Sequence, residues 1–194
     1  MVSWNDSAAA PAEVESRTDP LSAFLDFAGV IGLPRTTGRA LQLGFGGSSG
    51  SLETVASRFR EYVGVDPDAF AVQRARRCAS GRWSGAHFFV GTDVPDAADG
   101  DFDLIVCNFR RIPAGRDVLR RMGALVRLLA PGGIALFDVP RRRRRLHFQR
   151  GGATGSVGIS WQDAARAASL AQARIMWVDK SRRGDTLYCV VRDR

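Results

Sequence analysis

Cysteine is scarce in this 194-residue chain, and its three copies, Cys78, Cys107 and Cys189, stand far apart with no Cys-x-x-Cys pair. Neither a disulfide framework nor a zinc or other metal site is expected, and a reducing cytoplasm is the expected compartment. No apolar run approaches the roughly 20 residues needed to span a bilayer, so no membrane role is expected. The opening stretch MVSWNDSAAAPAEVES has no basic segment leading into an apolar one, which argues against a secretory signal. Lysine is nearly missing, since Lys180 is the single one among 28 basic residues. That skew, with abundant Ala and Gly, reads as a G+C-rich coding bias.

What is present suits one ordinary domain. Apolar residues make up 45% and charged residues 25% of the chain, which excludes a fully disordered polymer. The formal net charge of +8 invites a nucleic-acid partner. Its distribution does not favour one. Residues 1–138 carry 15 arginines against 16 acids, whereas residues 139–194 carry 12 arginines, one lysine and four acids. The basic character therefore belongs to the last quarter of the chain.

Residues 1–18 lack an apolar period and read as a flexible tail. Asp19 and Pro20 are placed to open a helix, with Leu21, Phe24, Leu25, Ala28 and Ile31 at helical spacing. From Arg39 onward short apolar runs alternate with amphipathic stretches. ALQLGF, REYVGVD, HFFVG, FDLIVCNF and GGIALFDVP read as strands, and Leu52–Phe59, Ala69–Cys78 and Val118–Leu129 as helices. Pro131-Gly132-Gly133 reads as the turn before the GGIALFDVP strand. Alternation of this kind implies a mostly parallel sheet covered on both faces. Ser160 can cap a helix over Trp161–Leu170. ARIMWVDKS and DTLYCVVRD then read as an antiparallel hairpin. The fold class is α/β, a doubly wound and mostly parallel sheet of seven strands closed by an antiparallel C-terminal hairpin, in one domain over 19–194.

The segment LQLGFGGSSGS lies between the first strand and its helix. Glycines there allow a sharp turn and close approach to a ligand, and the helix N-terminus behind them offers free N–H groups. About twenty residues on, Asp66 ends the second strand, where a carboxylate can accept from both hydroxyls of a ribose. The plainer alternative is a tight turn at Gly44 and Gly46, with Asp66 capping the next helix. A dinucleotide fingerprint is incomplete, because the third glycine position, counted from Gly44, falls on Ser49.

These segments, taken in order, resemble the class I S-adenosylmethionine-dependent methyltransferases. LQLGFGG is similar to the family's first motif, and VGVDPDAFAVQRAR to the end of its second strand. GTDVPDAADGDFDLIVCN resembles the adenine-side loop leading into strand four, and LVRLLAPGGIALFDVP the segment entering strand five. The resemblance implies S-adenosylmethionine as cofactor. Gly44, Phe45 and Gly46 would pass under its methionine and ribose portions, Asp66 would hold the ribose hydroxyls, and Pro67 would lie beside the adenine. Asp93, or Thr92 if the loop is shifted by one, would face the adenine amino group. Asn108 would lie near the methionine end, with Phe109 and Ile112 lining the mouth of the pocket. Two positions depart from the family pattern: Gln42 stands where an acid is usual, and Ser48 replaces the loop's third glycine.

Methyl transfer asks little of the protein beyond a positioned nucleophile and excluded water. A base is needed only for a hydroxyl or a protonated amine. His147 and Asp138 are the candidates for that role, although a solvated loop is the plainer account of His147. His87 reads as structural. The run Arg141–Arg145, with Arg150 close behind, sits in an arginine- and glycine-rich loop over 139–158. It reads either as a solvated tract or as a receiver for an anionic group. The expected activity is methylation of a small molecule, with an anionic one as an option, in bacterial specialised metabolism, by a pocket left open or completed in a homodimer. The alternatives are a nucleic-acid or carrier-bound substrate met by the arginine loop, and a methyltransferase-fold protein that binds without methylating.

Overall fold

A computed structural model of the chain describes residues 38–46, 49–94, 102–112, 117–140, 159–180 and 185–193. The expected tail and the helix opened by Asp19, Ser48, and the arginine run with His147 lie outside the described residues. The strands are β1 (Arg39–Leu43), β2 (Glu61–Asp66), β3 (Ala86–Val90), β4 (Phe102–Asn108), β5 (Leu129–Pro140), β6 (Ala173–Lys180) and β7 (Asp185–Arg192). The helices are α1 (Ser49–Ala56), α2 (Ala69–Ala79), α3 (Val118–Arg127) and α4 (Trp161–Leu170).

All seven strands form one sheet in the order β3-β2-β1-β4-β5-β7-β6. The first five are parallel, and β7 runs antiparallel between β5 and β6. The centre of the sheet is buried on both sides, which is why β1 and β4 read as nearly continuous apolar runs rather than alternating ones. Successive side chains of β1 serve opposite faces. Leu41 and Leu43 pack with Met122 and Val126 of α3 and with Ala164 and Ala168 of α4. Ala40 packs on the other face with Val55 of α1 and Val72 and Ala75 of α2.

The helices follow their apolar spacing and their caps. Asp68 caps α2 by accepting from the Phe70 amide, and Ser160 caps α4 by accepting from the Asp163 amide, as its sequence predicts. Helix α1 starts and stops three residues earlier than its apolar pattern suggests. Its end is closed by a short bond from the Arg58 amide to the Val55 carbonyl, and the chain then enters β2.

Pro131-Gly132-Gly133 is a correction to the sequence reading, because it lies inside β5 and not in a turn before it. Strand β5 already pairs with β4 at Leu129 opposite Phe102, and the register shifts before Ile134 meets Leu104. Gly133 absorbs that irregularity. A Cβ there would lie 2.8 Å from the Ala130 carbonyl oxygen and 2.9 Å from that of Phe102. The backbones approach too closely for a side chain.

Among the described residues no helix is long and apolar enough to cross a membrane. The free cysteines differ sharply in access: Cys107 and Cys189 are buried and Cys78 is half-buried on α2. Burial pushes the Cys189 thiol up to about 12 and that of Cys107 further still. The thiolate is the reactive form, so Ellman's reagent is expected to modify Cys78 alone in the native protein and all three thiols in guanidinium. Fast native reaction of Cys107 or Cys189, read by peptide mass mapping, would contradict this packing.

Candidate active site

The strand order reverses direction between β1 and β4, and in open α/β sheets the crevice at such a switch, beyond the carboxyl ends of the strands, is where ligands bind. Two loops meet there, Gly44–Gly46 after β1 and Asn108–Ile112 after β4. Gly44 and Gly46 adopt φ values of 72° and 66°, left-handed conformations that favour glycine. The Gly44 amide donates to the Val65 carbonyl at 2.8 Å, tying the loop to β2. Phe45, between the two glycines, turns its ring down into the core against Phe88 (centroids 5.9 Å apart), so only its backbone belongs to the site. Gly64 makes room for that anchor. A Cβ on it would lie within 3.1 Å of the rings of Phe88, Tyr62 and Phe45.

Asp66, at the tip of β2, is 0% exposed. Its Oδ2 accepts from the Gly46 amide at 2.8 Å and its Oδ1 from the Asp68 amide at 2.9 Å. Asp66 therefore does not cap α2, as the plainer alternative had it. It locks the glycine loop to the end of β2 and leaves the cap to Asp68. A second pair of donors comes from Arg111, whose Nε reaches Oδ2 at 3.2 Å and whose Nη2 reaches Oδ1 at 3.3 Å. Asp68 adds its charge at 3.8 Å. The bond to Asp66 raises the guanidinium above its usual value.

Beneath the loop, Gln42 is 4% exposed and its Oε1 accepts from the Tyr62 hydroxyl at 2.9 Å. Burial, and secondarily the Asp66 charge, push the Tyr62 phenol well up, so this pair stays neutral. Pro67 is exposed beside Asp66. Asp93 is exposed and held from α3, with Arg121 at 2.8 Å and the Thr92 hydroxyl donating at 3.0 Å. Arg121 also donates to the Thr92 carbonyl.

The turn after β4 is built on Asn108. Its carbonyl accepts from the amides of Arg111 (3.1 Å) and Ile112 (3.0 Å), and its Oδ1 accepts from the Arg110 amide (3.0 Å). This helix-like turn corrects the roles expected for Phe109 and Ile112. Three residues apart, both face inward, at 6% and 0% exposure, and pack in the core instead of lining a mouth. Arg110 faces outward in their place, and Arg111 folds back across the glycine loop to Asp66. Asp138 lies at the far end of β5, opposite Asn108 in register and half-buried, and its carbonyl accepts from the Phe109 amide at 2.9 Å. His87 is exposed on the edge strand β3. Among the described residues no group of three or more His, Cys, Asp or Glu could hold a metal ion.

The structure thus brings Gly44, Gly46, Asp66, Pro67 and Asn108 to one end of the sheet. Arg111 is the residue that sequence reasoning passed over. The signal was present in Asn108-Phe109-Arg110-Arg111, but nothing local says that one of two arginines folds back across the loop.

These residues fit S-adenosylmethionine. The glycine strip is a cradle that a Cβ would fill, and a buried carboxylate stands beside it. When bound, the cofactor supplies a methyl group already activated by a positively charged sulfur. The chain's part is to bind, to orient and to exclude water.

The comparisons agree with the geometry. A family model described as "Methyltransferase domain" matches residues 41–137, half of the chain. No curated protein matches. Among solved structures, an S-adenosylmethionine-dependent methyltransferase from Clostridium acetobutylicum ATCC 824 aligns with a TM-score of 0.68 at 13% identity, covering 90% of this chain and 91% of that one. The [4+2]-cyclase SpnF aligns at 0.65 and 15% identity, covering 89% and 80%. The N-methyltransferase NodS from Bradyrhizobium japonicum WM9 aligns at 0.61 and 18%, covering 91% and 99%. At these identities the structures speak to the fold, and the family model to the lineage. The chain belongs to the methyltransferase domain family, with the seven-stranded fold and the S-adenosylmethionine cofactor of the class I methyltransferases.

Proposed function

We propose that the protein transfers a methyl group to a small molecule bearing an anionic group, in bacterial specialised metabolism, in the cytoplasm. The reading of the acceptor's charge rests on Arg110, exposed just past the end of β4, with Arg111 beside it folded over the glycine loop. A guanidinium recognises carboxylate or phosphate through its planar fork. In this reading Asp66 holds the ribose hydroxyls, Asn108 sits toward the methionine end, and Asp93 with Pro67 borders the adenine. Asp138, half-buried at the end of β5, and His147, outside the described residues, are the residues proposed to accept a proton from a hydroxyl or ammonium acceptor. A thiolate or neutral amine acceptor needs neither. Two of the aligned structures are described as an N-methyltransferase and a [4+2]-cyclase, and the proposal takes a small acceptor in line with them.

The test is methyl transfer from radiolabelled S-adenosylmethionine to a panel of carboxylated and phosphorylated small molecules, with bulk tRNA alongside. Label is expected in a small acid, and Asp138→Asn is expected to lower kcat for a hydroxyl acceptor by roughly a hundredfold. Label in tRNA alone would point instead to the arginine-rich segment after β5. A second reading has one observation behind it, the neutral Gln42–Tyr62 pair beneath the loop. Tight cofactor binding with no label transferred to any acceptor would favour that reading, a protein that binds without methylating.

A further inference from the structure

Asp66 has no hydrogen-bonding capacity left. A carboxylate offers about four lone-pair sites, and here two are taken by the amides of Gly46 and Asp68 and two by Arg111. The amides belong to the loop itself and stay. Two hydroxyls can reach this carboxylate only through the positions that Arg111 fills. The same side chain lies across the glycine cradle. The sites where Cβ atoms would stand on Gly44 and Gly46 are 3.0 Å from the Cβ and the Nε of Arg111.

We infer that Arg111 is an internal competitor of the cofactor's ribose: it fills the Asp66 site in the free protein and sets cofactor affinity through the fraction of time it stays there. This rests on the assignment of Asp66 to the ribose. The design of the turn supports it. Phe109 and Ile112 clamp the backbone on either side in the core, and three bonds to Asn108 close the turn. Vacating the site therefore needs only a side-chain rotation, with no loop movement. Arg111 can make that rotation because its side chain is 37% exposed while Asp66 is sealed. Rotamer changes at exposed residues take picoseconds to nanoseconds, so opening equilibrates long before a ligand arrives. Apparent affinity is then the intrinsic affinity multiplied by the open fraction. Displaced from Asp66, the guanidinium stands at the rim beside Arg110, where it can meet the acceptor.

The test is Arg111→Met, which keeps an unbranched apolar stem over Gly44 and Ile112 and removes the fork. S-adenosylhomocysteine is the probe, with calorimetry for affinity and surface plasmon resonance for rates. If the site is open about a tenth of the time, the variant binds roughly tenfold more tightly, wholly through faster association with an unchanged dissociation rate. Equal or weaker binding by the variant overturns the inference. So does tighter binding that comes from slower dissociation, since Arg111 would then act on the bound complex. If neither folded protein binds the probe, the cofactor assignment of Asp66 fails, and the inference with it.

Discussion

Replacing Asp66 with alanine is expected to weaken S-adenosylhomocysteine binding by roughly a hundredfold or more. A hydrogen bond to a charged group contributes about 1.5–3 kcal/mol, and each 1.4 kcal/mol is about tenfold in affinity. Two hydroxyls on one carboxylate thus give a loss of two decades or more, reduced somewhat because the variant also frees the site of Arg111. The Gly46 amide loses its acceptor at 2.8 Å as well, so the cradle itself loosens. The fold should survive. Removing the buried carboxylate strands no buried charge, because Arg111 is already partly in water and has Asp68 nearby. Calorimetry on a variant with an unchanged far-ultraviolet spectrum is the check. A loss of less than about threefold would remove Asp66 from the cofactor site.

Phe137→Ala is expected to cost about 3–5 kcal/mol, a large share of the roughly 5–15 kcal/mol that holds most domains folded. Phe137 is fully buried in the middle of β5, paired with Cys107 of β4 on one side and Tyr188 of β7 on the other. Its ring lies 5.9 Å from that of Phe109. The neighbouring strands are held in place on both sides by sheet pairing, so they cannot close the space without losing it. For a domain of this size each kcal/mol moves Tm by about 2–4 °C, so scanning calorimetry should show a fall of roughly 6–20 °C. A fall below about 3 °C would mean that the site relaxes far more than its packing suggests. Phe109 anchors the turn that carries Arg111, so the same variant should also bind the cofactor differently from the parent.

How much of this was legible in the sequence depended on the range of the interaction. The seven strands could be read because each is a short apolar run set off by turns or helices, and burial on two faces leaves that mark on composition. The caps at Asp68 and Ser160 are local chemistry, although only Ser160 is read correctly from the sequence alone. Pro131-Gly132-Gly133 misled because its residues signal a turn, whereas the pairing of Leu129 with Phe102 pulls them into a strand. Phe109 and Ile112 misled for a related reason. Their faces are set by a turn closed on the Asn108 carbonyl, a backbone bond that no side-chain pattern announces. Arg111 meets Asp66 across 45 residues, and nothing near either one marks the other as its partner.

The place of β7 has a consequence for how the protein is made. Strands β1 to β5, with the glycine loop, Asp66 and the Asn108 turn, are complete in the order of synthesis before β7 is. Yet β5 has an open edge and β6 has no neighbour until Asp185–Arg192 slots between them. During translation, a nascent chain that already carries its binding residues presents the unpaired backbone N–H and C=O groups of β5 along Ile134–Pro140, an edge prone to pair with other chains. Strand β7 is thus the element that closes the open edge of β5 and gives β6 its neighbour. Ribosome stalling between β6 and β7 would leave a fragment with the β5 edge open to pairing with another chain.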